Sequence, residues 1–235
     1  MSIMTEEISM LLNPQQHAHL RYLPIDNRLF AGQLPWISLV SSDVIPLAHQ
    51  GVPILLPVGP EALPQALIMP SVEDHPFGDH TPRLWQYYPF TLSQPVVGIE
   101  ADDSGQFSTV LQIDPEAPHW EGNTGYRLFD TNGQLSPFLR KTLSGLRAVQ
   151  QEVMQMQQLI WRLHGLRVLT SGIVEHAGQC LEVYHIDLEA LERQLSDSEE
   201  ARDIQLLVMA SAITASQVDL DVIGRPYLAG SRYAI

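Results

Sequence analysis

The densest run of side chains able to do chemistry lies between Glu73 and Pro82, in the segment EDHPFGDHTP. Glu73, Asp74, His75, Asp79 and His80 are hard and borderline donors, and two histidines with one carboxylate turned inward suffice for a non-haem iron or zinc centre. His75, Asp79 and His80 form the candidate metal set. The same residues read equally as an exposed polar loop, which their proline and glycine neighbours favour. His17 and His19 are two apart, so on a strand they would share a face and could chelate an ion. Their setting reads instead as a polar N-terminal loop. Asp130-Thr131-Asn132-Gly133 opens like a calcium loop, but position 12 falls on Lys141 where a glutamate is required, so these residues are read as a turn.

A second concentration is aromatic. Trp85, Tyr87, Tyr88 and Phe90 could line a groove for a peptide or an aromatic ligand, with Trp85, Tyr88 and Phe90 as the candidate contacts. The alternative is one strand that divides these rings between core and rim. Cys180 is the only cysteine, so neither an internal disulfide nor a thiolate-rich metal site can form. Beside a strand it is expected to be buried and inert. Phosphate-loop, dinucleotide, nucleophile-elbow and zinc-protease motifs are all missing from the sequence.

The elements that must position these groups change character along the chain. Up to about residue 92, prolines recur too often for long helices. Between them lie the strand-like pieces Leu20–Leu23, Trp36–Val40, Pro53–Val58 and Ala66–Met69, with a short helix over Ser42–Gln50. Two hairpins are expected next. Val96–Glu100 and Phe107–Ile113 flank one turn; Tyr126–Phe129 and the residues after Gly133 flank the other, built on Asn132-Gly133. Ser136-Pro137 then starts a helix. Its apolar residues Leu139, Leu143, Leu146, Val149, Val153, Met156, Ile160 and Leu163 fall on one face, and Gly165 is the expected stop. At 1.5 Å per residue it would be roughly 40 Å long. A strand over Leu181–Ile186, a helix capped by Asp187 over Leu188–Leu195, and a last helix from about 199 to 217 follow. A capping box of Ser196 and Glu199 would open the last helix, whose apolar residues lie nearly all round, so it should be buried. The tail Gly224–Ile235 reads as irregular. The result is α+β: a proline-rich antiparallel β layer with hairpins over 1–135, then a helical region with one short strand over 136–235, in one compact domain.

Composition narrows the function classes. Of 235 residues 45% are apolar and 17% charged, enough for a packed core without a stapling ion. Thirteen basic against 27 acidic residues give a net charge of −14, which repels nucleic acid and anionic membrane surfaces. The opening MSIMTEEISMLL does not read as a secretory signal, and no stretch reaches the length of a membrane span. A cytoplasmic location is the expectation.

Several landmarks then line up in order. Asn13-Pro14 with His17 and Leu20-Arg21 resembles the N-P-x-x-H-x-x-L-R opening of the bacterial SapC family. Trp85-Gln86-Tyr87-Tyr88-Pro89-Phe90 resembles its Y-x-R-x-Y-P-F segment in shortened form, and Ile113-Asp114-Pro115-Glu116-Ala117 its I-D-E-x-A. The stretch from Leu128 to Leu139, LFDTNGQLSPFL, is similar to L-F-D-x-x-G-x-P-T/S-P-F-L. Tyr184 to Leu191 resembles Y-x-V-D-E-E-K-L. Met209-Ala210-Ser211 departs from the family's Tyr-Ala-His. The resemblance implies an accessory protein of a bacterial uptake or tailoring pathway, because members tend to be encoded beside halogenase-like proteins, cupin-like oxygenases and outer-membrane receptors. The family name implies a surface-layer role, and a surface-layer structural protein is the second alternative beside a metal-dependent tailoring enzyme. The expected partner is a protein, a peptide or a small molecule bound without a cofactor, by a binding protein rather than an enzyme. The helix over 136–164 offers a seam for a homo-oligomer.

Overall fold

The computed structural model describes residues 10–27, 36–59, 62–68, 77, 80–92, 111–120, 124–176, 178–196 and 200–217. In chain order the first elements are β1 (Met10–Leu11), α1 (Pro14–His17), β2 (Arg21–Tyr22), β3 (Trp36–Ser38), α2 (Ser41–His49), β4 (Ile54–Pro57) and β5 (Gln65–Leu67). A 3-10 turn over Trp85–Tyr87 leads to β6 (Phe90–Leu92) and β7 (Leu111–Ile113), and a second over Pro118–Trp120 leads to β8 (Tyr126–Arg127). Then come α3 (Pro137–Leu166), β9 (Leu169–His176), β10 (Gln179–Ile186), α4 (Leu188–Leu195) and α5 (Ala201–Gln217). Every strand pairing among the described residues is antiparallel, so the chain is α+β.

The chain divides into two units. Unit 1 comprises Met1–Asn27 and Leu84–Gln150; unit 2 comprises Arg28–Arg83 and Gln151–Ile235.

Unit 1 holds a three-stranded sheet, β1-β7-β6, and a two-stranded ribbon, β2-β8. Its core is Phe90, Ile113, Leu128, Phe129, Leu139 and Leu146, with Leu20, Tyr22, Trp120 and Phe138 against it. Burying six such side chains removes from water the apolar area that carries most of a domain's stability. The N-P-x-x-H landmark is a helix-start device. Asn13 Oδ1 accepts from Gln15 N at 2.8 Å, Pro14 fills the first helical position, and Asn13 N donates to His17 Nδ1 at 2.9 Å. Four residues of helix are thereby fixed at both backbone and side chain.

The Asn132-Gly133 turn forms, with Gly133 at φ 75 and the bridge Phe129↔Leu135 closing it. Asp130 Oδ1 accepts from both Asn132 N and Gln134 N. The expected hairpin arm, however, pairs elsewhere. Tyr126–Arg127 bonds to Arg21–Tyr22, because Tyr22 and Tyr126 together cover Phe138. Ser136 caps α3 as expected, its Oγ accepting from Leu139 N at 3.1 Å.

Unit 2 is a five-stranded sheet of order β3-β5-β4-β10-β9 with α2 and α5 packed together and α5 on β4. All four residues of β4, ILLP, are buried. Ser216 Oγ accepts from Ile54 N at 3.0 Å and Gln217 Nε2 donates to Ile54 O at 2.8 Å, pinning the end of α5 to that strand.

Four local expectations change. The α3 helix runs past Gly165, and Arg167 takes the left-handed conformation at φ 55 that glycine was expected to supply. The eight-residue strand β9 was not expected between the end of α3 and the Leu181–Ile186 strand, and it pairs with β10 along its whole length. One face of α5 is open, with Ile204 and Val208 about half exposed. Cys180 is exposed rather than buried. The Val96–Glu100 hairpin and the tail Gly224–Ile235 lie outside the described residues, as does Glu199 of the capping box. Among the described residues no helix is long and apolar enough to cross a membrane.

Candidate functional site

In unit 1 the aromatic segment is a 3-10 turn followed by an edge of sheet, not one continuous strand. Asn27 holds it from behind. Its Nδ2 donates to Trp85 O at 2.6 Å and to Tyr88 O at 3.2 Å. Those two donations fix which end of the amide is oxygen, so Asn27 Oδ1 is the acceptor for His119 Nε2 at 2.8 Å. His119 is fully buried, and burial pushes its imidazole below the ordinary value of 6.5 despite the nearby Asp114 carboxylate. It is therefore a neutral, structural donor near pH 7.

Tyr88 projects between His119 and Trp85, with ring centroids 5.3 Å from each. Its hydroxyl donates to Asp114 Oδ2 at 2.6 Å, and Asp114 Oδ1 in turn accepts from Glu116 N. Asp114 O accepts from Trp120 Nε1 at 2.7 Å. The Tyr88–Pro89 peptide bond is cis. Tyr87 lies on Gly145 of α3 so closely that a Cβ there would collide with its ring.

Trp85 and Tyr88 are thus partly exposed on a turn whose backbone and hydroxyl are already bonded. Phe90, the third aromatic expected to contact a ligand, is 2% exposed and belongs instead to the core, edge-on to Trp120 and Phe138.

A further ladder of rings runs inward through this unit. Tyr126 stacks on Phe138 at 4.9 Å, Phe138 on Tyr22 at 4.8 Å, and Tyr22 on His119 at 5.4 Å. Burial pushes the Tyr22 hydroxyl pKa up.

In unit 2 the histidine and carboxylate that come together are His80 and Asp43. Asp43 stands in the first turn of α2, fully buried, and its Oδ2 accepts from Val40 N at 3.1 Å, closing the helix start. Its Oδ1 faces His80 Nε2 at 2.9 Å, and both oxygens accept from Arg83 N. Burial raises the Asp43 pKa above 3.8, opposed by His80 and by the backbone donors of Val40 and Arg83. Arg83 also reaches Glu152 Oε1 at 3.3 Å, and Ser42 Oγ donates to the other oxygen of Glu152. The hydroxyl and the imidazole therefore address different carboxylates, and the nucleophile–base contact of a hydrolytic triad is not made by Ser42.

His75 and Asp79 lie outside the described residues, and their partner in the metal set, His80, is bonded to Asp43. Among the described residues no three His, Cys, Asp or Glu side chains gather as metal ligands. His17 has both ring nitrogens engaged, Nδ1 by Asn13 N and Nε2 against Met10 Sδ at 3.2 Å, while His19 is exposed.

Sequence reasoning missed Asn27, His119, Asp43 and Glu152. Asn27 and His119 are 92 residues apart, and no local spacing announces them. Asp43 had one signal: an acid in the third position of a helix that lacks a capping side chain at its start.

No curated protein and no solved structure matches this chain significantly. The SapC family model matches residues 12–221, which takes in both clusters, and the chain belongs to the SapC family.

Proposed function

We propose that this protein is a non-enzymatic accessory protein of a bacterial uptake or tailoring pathway, acting in the cytoplasm. It binds a protein, peptide or small molecule through the turn that carries Trp85 and Tyr88. One observation carries the reading: two aromatic side chains are presented on a backbone already held by Asn27 and by the Tyr88–Asp114 hydrogen bond. A surface fixed before the ligand arrives loses little conformational entropy on binding, and aromatic rings supply large contact area with few rotatable bonds. Phe90 serves the same turn from below by anchoring it in the core. The imidazoles and carboxylates nearest the turn support binding over catalysis, since His119 is a donor to Asn27 and Asp114 accepts from Tyr88 and Glu116.

Peptides selected from a random-sequence library against the full chain, then titrated against variants, test this. Trp85→Ala should weaken the selected peptides by about tenfold or more, the ordinary cost of truncating an aromatic anchor, with the unfolding midpoint unchanged. Equal affinity for wild type, Trp85→Ala and Tyr88→Ala would remove the turn from the binding surface.

A further inference from the structure

The β2-β8 ribbon of unit 1 pairs Arg21 directly with Arg127 and Tyr22 directly with Tyr126. Directly opposed residues of an antiparallel pair share a face, and neighbours along a strand alternate. The tyrosines face Phe138, so the two arginines share the opposite face. Arg127 is exposed and Arg21 half-buried. Among the described residues neither guanidinium has a carboxylate partner. Like charges placed directly across a ladder destabilise it, and the surplus of acidic residues in this chain does not relieve the repulsion here.

The ribbon itself is pinned. Leu23 N bonds His119 O at 2.9 Å, and Gly125, at φ 118, brings its backbone so near Tyr22 O that no side chain would fit. Two arginines are therefore carried on one face of a backbone that does not need to rearrange. The planar fork of a guanidinium matches two oxygens of a carboxylate or phosphate, and it is weakly enough hydrated to exchange water for an anion.

We propose that Arg21 and Arg127 form a binding site for an oxyanion, a carboxylate or phosphate group. The site lies on the ribbon, not on the Trp85–Tyr88 turn, and it does not rest on the binding role assigned to that turn. The anion neutralises the repulsion between the two cations, so binding and ribbon stability rise together. Because the whole chain carries a charge of −14, attraction is short-ranged and weakens as salt is added.

Calorimetric titration of the full chain with inorganic pyrophosphate and, separately, with citrate tests the site, with sodium chloride holding ionic strength constant. One equivalent of at least one anion should bind, and the anion that binds tells a phosphate source from a carboxylate source. Arg127→Gln and Arg127→Glu should each weaken binding by about tenfold or more, the loss expected for one charge-assisted contact. Arg127→Glu should also unfold at a higher temperature than wild type without anion, because it converts the repelling pair into an attracting one. Arg147→Gln, an exposed charge on α3, should bind as wild type does. No binding by wild type beyond the chloride control overturns the proposal, as does unchanged affinity in Arg127→Gln.

Discussion

Among the described residues each unit has one ionisable side chain with no exposed surface at all, and the two are of opposite kind. Unit 1 buries the imidazole of His119; unit 2 buries the carboxylate of Asp43. The surroundings differ to match. His119 is stacked on Tyr22, lies edge-on to Tyr88 and donates to the neutral amide of Asn27, and its burial favours the uncharged form. Asp43 faces an imidazole and two backbone N–H groups, so acceptor oxygens are required whatever its charge. Burial drives both groups toward neutrality, down for the base and up for the acid. In unit 2 the bonding partners oppose that shift; in unit 1 only Asp114 does.

The sharpest way to break the comparison is Asp43→Ala. It leaves Val40 N, Arg83 N and the His80 ring without their acceptor, and a buried set stripped of its charge partner costs about 4 kcal/mol. Urea unfolding should show that loss, and hydrogen exchange should locate it in α2. A loss below about 1 kcal/mol, the worth of one ordinary hydrogen bond, would mean that water replaces the carboxylate and that the site is not dry.

Next in size are the pH slopes, which should have opposite signs. For His119 the folded pKa lies below 6.5. As pH falls below 6.5 the unfolded chain takes up the proton first, so unit 1 loses stability on acidification. For Asp43 the folded pKa lies above 3.8. Its contribution is fully present below 3.8 and is lost as pH rises through the raised value. Hydrogen exchange read separately for the two units should show both trends. His119→Gln should flatten the first and Asp43→Asn the second; a slope that survives its own substitution assigns the titration to another group.

The smallest effect tests whether unit 1's packing is as tight as its rings imply. Gly145→Ala gains up to about 1 kcal/mol of helix propensity. It also drives a methyl into the Tyr87 ring, at a cost of about 1–3 kcal/mol. The net should be a loss near 1 kcal/mol by urea unfolding, part of which Tyr87→Leu recovers in the double variant. A net gain would show that Tyr87 moves aside freely.

The strands that sequence could locate are those whose signal is local. Proline-bounded apolar runs gave β3, β4 and β5 within a few residues, and the Ser136-Pro137 cap gave the start of α3. The elements it misjudged depend on distant partners. The Tyr126–Arg127 arm pairs with residues more than a hundred positions earlier, because aromatic cover on Phe138 outweighs the nearby turn. The β9 strand is interrupted by Ser171-Gly172, where glycine is disfavoured in a strand, and pairing with β10 along its whole length holds it extended. The same holds for the candidate site. Trp85 and Tyr88 stand out by type, whereas Asn27, which sets the conformation of their backbone, belongs to no motif the sequence displays.

The overlap of Tyr22 and Tyr126 on Phe138 has a magnetic consequence. Circulating electrons in the two stacked tyrosine rings shield the phenylalanine protons. In a proton spectrum the Phe138 aromatic resonances should therefore move well upfield of the unfolded position. That displaced signal would serve as a ligand-free readout of whether unit 1 is intact.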